Sequence, residues 1–194
     1  MMSRFGVGSA LAFAACIIVM MISQGNASAF VFGASSAAWQ YEGGLDADGR
    51  GPTIWEDFCG GLNPSGNPRC RNRGADAKKA CDQYNLATLG EDIARLKDLG
   101  MKAYRLSIAW SRIIPQGTGN VNERGIAHYR RVFEMLRAAQ IDPYVTLFHF
   151  DLPSSLERNG GWLNISTSDA FQRYARVCFE AFGDIVKHWI TLNE

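Results

Sequence analysis

Four residues stand out for their chemistry: Gln40, His149, Asn193 and Glu194. Each falls just beyond the C-terminal end of an apolar run. Carboxamides both donate and accept hydrogen bonds, while an imidazole and a carboxylic acid can move protons. Taken singly, each has a plainer role. A strand-terminal Asn-Glu pair is commonly a cap or a turn, and a lone histidine is commonly a satisfied structural one. Arg105, inside an apolar run, could pair with a buried acid, and Glu42, close to Gln40, reads as structural. What separates these readings is whether the scaffold brings the residues to one place.

The scaffold alternates strand and helix. Strands are expected at Phe30–Ala34, Ala103–Ile108, Pro143–Phe148 and Trp189–Leu192. Between them, Ile93, Leu96 and Leu99 form a helical stripe closed by Gly100, with Gly90 leaving its start open. Asn122 can cap a helix carrying Ile126, Tyr129, Phe133 and Leu136. Ser166 with Asp169 resembles a capping box ahead of Phe171, Tyr174, Cys178 and Phe182. Apolar strands alternating with helices imply a parallel sheet. A doubly wound open sheet and one half of a (β/α)8 barrel both satisfy that pattern, and both place ligands at the C-terminal strand ends. The G-x-G-x-x-G phosphate fingerprint is absent after the first strand, which favours the barrel half.

Composition narrows the function. The 194 residues hold 20 Lys+Arg against 19 Asp+Glu, so no basic field exists to hold a nucleic acid. Three histidines and scattered cysteines show no zinc-site spacing, so no metal is expected. Residues 1–29 read as a signal peptide. Arg4 precedes an apolar run from Leu11 to Ile22, and Ala27-Ser28-Ala29 offers small residues for cleavage. That run is shorter than the ~20 residues of a membrane span. A secreted or lumenal mature chain of residues 30–194, free of the membrane, is the expectation. Secretion allows Cys59 and Cys70 to bridge the Gly/Pro/Asn-rich loop between them, a closure worth roughly 3 kcal/mol. Asn164-Ile165-Ser166 is a glycosylation sequon in an expected surface turn, and Cys178 reads as a small buried hydrophobe.

Longer blocks carry a resemblance. Phe30-x-Phe32-Gly33-x-Ser35-x-Ala37-Ala38-Trp39-Gln40-x-Glu42-x-Gly44 is followed by Asp48-Gly49-Arg50-Gly51-Pro52-Thr53-Ile54-Trp55. Then come Tyr104-Arg105-Leu106-Ser107-Ile108-Ala109-Trp110-Ser111-Arg112-Ile113, His149-Phe150-Asp151-Leu152-Pro153, Gly160-Gly161-Trp162-Leu163-Asn164 and the closing Thr191-Leu192-Asn193-Glu194. In this order they resemble glycoside hydrolase family 1, the β-glucosidase family. The resemblance implies a (β/α)8 TIM barrel without cofactor that cleaves β-glycosides or oligosaccharides by retaining double displacement. One carboxylate would protonate the leaving oxygen and another would attack the anomeric carbon. By resemblance Glu194 is the acid/base, and Asn193 bonds the 2-hydroxyl. Gln40 and His149 bind other sugar hydroxyls, and Arg105 lies beside the nucleophile and favours its ionised form. A thioglucosidase is disfavoured, because such enzymes of the family carry glutamine in place of this glutamate.

The sequence also departs from the family. Phe150 stands where a tryptophan is usual, so the ring keeps its face and loses its N–H donor. Trp39 and Gln83 also replace more frequent residues, and residues 84–89 fit the pattern poorly. The second glutamate, in a Thr-Glu-Asn-Gly type motif, does not occur within these 194 residues. The expectation is therefore an N-terminal half-barrel of a longer enzyme, inactive alone and partnered by the missing C-terminal half. The alternative is a short, non-catalytic secreted product that binds sugar or a partner chain.

Overall fold

The computed structural model describes residues 30–70 and 76–194. The expected signal peptide, residues 1–29, lies outside them.

Within the body that runs from Phe32 to Glu194, four strands form one sheet in the order β1-β2-β3-β4. They are β1 (Gly33–Ser35), β2 (Ala103–Ser107), β3 (Asp142–Phe148) and β4 (His188–Leu192), and every neighbouring pair is parallel. β1 begins at Gly33 rather than Phe30 because its neighbour β2 starts only at Ala103, the register partner of Gly33. Pro143 sits one residue inside β3, opposite Tyr104.

Helices α1 (Ile54–Gly60), α2 (Leu86–Asp98), α3 (Trp110–Ile113), α4 (Glu123–Ala138), α5 (Ser154–Arg158) and α6 (Ile165–Phe182) join the strands. Gly90 does not break α2, which starts at Leu86 with the Asn85 side chain accepting from Ala87 N–H at 3.0 Å. A Cβ at Gly90 would meet only the end of the Met135 side chain on α4, at 3.4 Å. Two expected caps differ. Asn122 precedes α4, but its Nδ2 donates to the carbonyls of Asp48 and Arg112 at 2.8 and 2.9 Å, fastening the preceding loop. Asn164 caps α6 in place of Ser166, accepting from Ser166 N–H at 3.0 Å. An asparagine side chain at the first position outside a helix outcompetes a serine already inside it.

The core lies between the sheet and α2, α4 and α6. It is centred on Leu106, Ile108, Phe133, Leu136, Val145, Leu147, Tyr174 and Phe182. Trp110, wholly buried, stacks on Tyr174 at 5.0 Å between ring centroids. Tyr174 Oη lies within reach of the carbonyls of Ile108 (3.2 Å) and Leu147 (2.9 Å), which ties α6 to two strand ends. Cys178 is buried as expected of a small hydrophobe, and burial pushes its thiol pKa up. Cys59 and Cys70 form a disulfide with Cα atoms 4.8 Å apart.

Candidate active site

The residues at the C-terminal strand ends share one cleft. Trp39, Gln40, Trp55, His149, Phe150, Asn193 and Glu194 line a hollow of about 260 Å³. These residues arrive from separate stretches of chain, and the sheet register brings them together.

Gln40 comes from the turn that follows β1. Ser107, the last residue of β2, accepts the Ala38 N–H on its Oγ at 2.8 Å, and the Arg105 carbonyl accepts Ser36 N–H at 2.9 Å. A five-residue π-helical turn, Ala38–Glu42, then presents Gln40. Its far end is pinned by Glu42, whose Oε1 accepts from Arg112 Nε at 2.5 Å and whose Oε2 accepts from Tyr129 O–H at 2.6 Å. All three side chains are buried or nearly so. Burial pulls the Arg112 guanidinium down, and the adjacent Glu42 carboxylate outweighs it, leaving the group raised. The structural reading of Glu42 holds.

Asn193 follows β4, and its N–H donates to the Phe148 carbonyl at 2.9 Å. Its Oδ1 accepts from Arg105 Nη2 at 2.6 Å, while Arg105 Nε donates to Thr146 Oγ1 at 3.0 Å. One guanidinium thus links β2, β3 and the end of β4. Among the described residues it forms no ion pair. With its carbonyl oxygen held by Arg105, the Asn193 amide is fixed in orientation, the condition for a specific contact to a ligand hydroxyl.

His149 is half-buried, and its Nδ1 has no hydrogen-bond partner among the described residues. Burial lowers its pKa first, the Arg105 cation lowers it further, and the Glu194 carboxylate opposes both. A neutral imidazole results near pH 7, with one nitrogen able to accept and the other to donate. Phe150 lies at the rim, edge-on to Phe148 at 6.2 Å. Glu194 is exposed at the mouth.

Trp39 and Trp55, to which the sequence assigns no role in the site, also belong to it. Both face the cleft, stacked with centroids 6.5 Å apart. Their broad apolar faces suit the C–H face of a sugar ring. Asn164, the sequon residue, is half-buried, and its Nδ2 donates to the Asn159 carbonyl at 2.7 Å. Among the described residues no cluster of acidic, histidine or cysteine side chains is arranged to hold a metal.

Residues 24–194 match the profile of Glycosyl hydrolase family 1. The chain belongs to that family. Among its relatives, Beta-glucosidase 6 of Oryza sativa subsp. japonica is 51% identical over 169 residues, covering 85% of this chain and 30% of the relative. The 1,4-beta-D-glucan glucohydrolase of Thermotoga neapolitana is 46% identical over 165 residues, covering 85% of this chain and 37% of that protein. The crystal structure of the rice Os3BGlu6 beta-glucosidase superposes with a TM-score of 0.77 at 49% identity, covering 86% of this chain and 34% of that one. The chain thus spans about a third of the length of the family 1 relatives it matches. Its sheet and covering helices are half of a family 1 (β/α)8 barrel.

Proposed function

We propose that this chain supplies the acid/base half of a secreted, retaining β-glycosidase that cleaves O-linked β-glucosides. The observation that carries the reading is the convergence of Gln40, His149, Asn193 and Glu194 on one aromatic-walled cleft at the C-terminal edge of a parallel sheet. In a barrel of this kind the chemistry sits at that edge.

The geometry suggests a division of labour. Trp39 and Trp55 provide apolar faces, and Gln40 and the neutral His149 take sugar hydroxyls. Asn193, oriented by Arg105, bonds the 2-hydroxyl, a contact that tightens as the ring flattens toward the transition state. Glu194 gives its proton to the leaving oxygen and later withdraws one from water. An O-linked leaving group is a strong base and needs that proton, which is why a carboxylic acid suits this position. A second carboxylate must attack the anomeric carbon, and none among the described residues lines this cleft. The 194-residue chain alone is accordingly inactive on glycosides.

The test is hydrolysis of an aryl β-glucoside, with the product anomer followed by proton NMR. The product of the complete transcript should release β-glucose first, and the 194-residue chain should release none. Initial release of the α-anomer, or turnover by the 194-residue chain, would overturn the proposal.

A further inference from the structure

Asp151 is a carboxylic acid directly behind the cleft, 1% exposed, and the chemistry above does not use it. It forms no ion pair among the described residues. Its Oδ1 instead accepts the backbone N–H of His149 at 3.4 Å. That N–H lies one residue beyond the last rung of β3, where the Phe148 carbonyl takes the Asn193 N–H. No neighbouring strand among the described residues supplies it with an acceptor, and a buried N–H left unpaired is costly.

The carboxyl can reach back two residues because Phe150, between them, is left-handed at φ 61. For a bulky residue that conformation costs about 1–2 kcal/mol, so it persists only where the surroundings hold it. Two clamps do so. Downstream, the Leu152 carbonyl accepts Ile54 N–H at 2.9 Å and Pro153 bridges to Thr53. Upstream, the Asp151 carboxyl holds His149. Phe150 and the His149 ring, whose Nδ1 has no partner among the described residues, owe their place in the cleft to this turn.

We propose that Asp151 is a positioning residue: its carboxyl locks the His149–Phe150 turn and thereby acts on sugar binding through His149. The sugar-binding part rests on the proposed function, whereas the locking part does not. Burial raises the Asp151 carboxyl to about 7, with the His149 N–H and Arg50 opposing and Glu42 adding weakly. The buried Tyr174 phenol feels the same carboxylate, and around His149 the charged groups are Arg105 and Glu194. A neutral carboxyl accepts an N–H more weakly than a carboxylate. The lock therefore loosens as the pH falls through neutrality.

The test follows the residue-149 amide of the labelled 194-residue chain by NMR across pH, together with the Asp151 carboxyl carbon. Both signals should titrate with a common midpoint near 7. The amide inflection should persist in His149→Gln, which removes the imidazole's own titration, and vanish in Asp151→Asn. An amide that fails to titrate with the Asp151 carboxyl, or an inflection that survives Asp151→Asn, overturns the lock. If Asp151→Asn does not fold, the wild-type and His149→Gln titrations decide alone. Glucose binding to the same chain reads the second part. Asp151→Ala should weaken it about tenfold, the loss expected from about 1.4 kcal/mol, while Asp151→Asn, which keeps an acceptor, stays close to wild type. If wild type binds no glucose, the sugar-site reading fails and the amide titration still judges the lock.

Discussion

Replacing Arg112 by methionine should be among the most damaging single changes in this chain. Arg112 has no exposed surface, and its Nε donates to Glu42 Oε1 at 2.5 Å. Its Nη2 donates to the carbonyls of Gly43 and Gly44 at 3.3 and 3.1 Å, and its Nη1 to Ala47 at 3.3 Å. The Tyr84 ring covers the guanidinium at 4.5 Å. Methionine fills much of the volume and removes the charge, leaving the Glu42 carboxylate buried with only the Tyr129 hydroxyl. Breaking a buried pair from one side costs about 3–5 kcal/mol, because the remaining charge has no compensation. The three carbonyls also lose donors, which places Arg112→Met at the upper end, about 5 kcal/mol. Pairing it with Glu42→Gln removes the stranded charge while keeping an acceptor for Tyr129. The double variant should regain at least about 2 kcal/mol over Arg112→Met. Urea unfolding of the 194-residue chain at pH 7, followed by tryptophan fluorescence, measures all three variants. A cost under about 1 kcal/mol for Arg112→Met, the value of a surface pair, would refute the reasoning. So would a double variant no more stable than Arg112→Met.

Three further outcomes follow from particular contacts. Asp151 binds its proton more tightly in the folded chain, so its contribution to stability is greatest below its ordinary value of 3.8 and is lost as pH rises to about 7. The difference in unfolding free energy between wild type and Asp151→Asn should therefore shift against wild type by up to about 4 kcal/mol between pH 4 and pH 8; a pH-independent difference would contradict this. Tyr174→Phe removes the single hydroxyl proton within reach of the Leu147 and Ile108 carbonyls and should cost about 1–3 kcal/mol by the same unfolding assay. At Gly51 a Cβ would stand 1.9 Å from the Pro115 carbonyl oxygen, so Gly51→Ala should displace the adjoining loop and lower the melting temperature by several degrees, about the effect of 1 kcal/mol or more.

The strand centres and the three long helices were legible because their signals are local. Ile126, Tyr129, Phe133 and Leu136 repeat at helical spacing, and Val145 and Leu147 lie in an unbroken apolar run. What escaped was set by distant parts of the chain. Asn122 reads as a cap until the Asp48 carbonyl claims its side chain. The Glu42–Arg112 pair joins residues 70 positions apart, and no periodicity announces it. In the cleft, Gln40, His149, Asn193 and Glu194 were marked by their places at strand ends and by family resemblance. Trp39 and Trp55 were not, because a tryptophan in sequence looks the same whether it packs a core or walls a cleft. Asp151 lies within the His149-Phe150-Asp151-Leu152-Pro153 block, yet its burial and its reach back to His149 belong to three dimensions.

The most direct test of the account compares two leaving groups on the product of the complete transcript, with and without Glu194→Gln. If Glu194 is the proton donor, a β-glucoside with an alkyl or sugar leaving group should lose about 10²–10⁴-fold in kcat/KM. A dinitrophenyl β-glucoside, whose leaving group departs without a proton, should lose far less. Equal losses on the two substrates, or no loss on the first, would contradict the role given to Glu194.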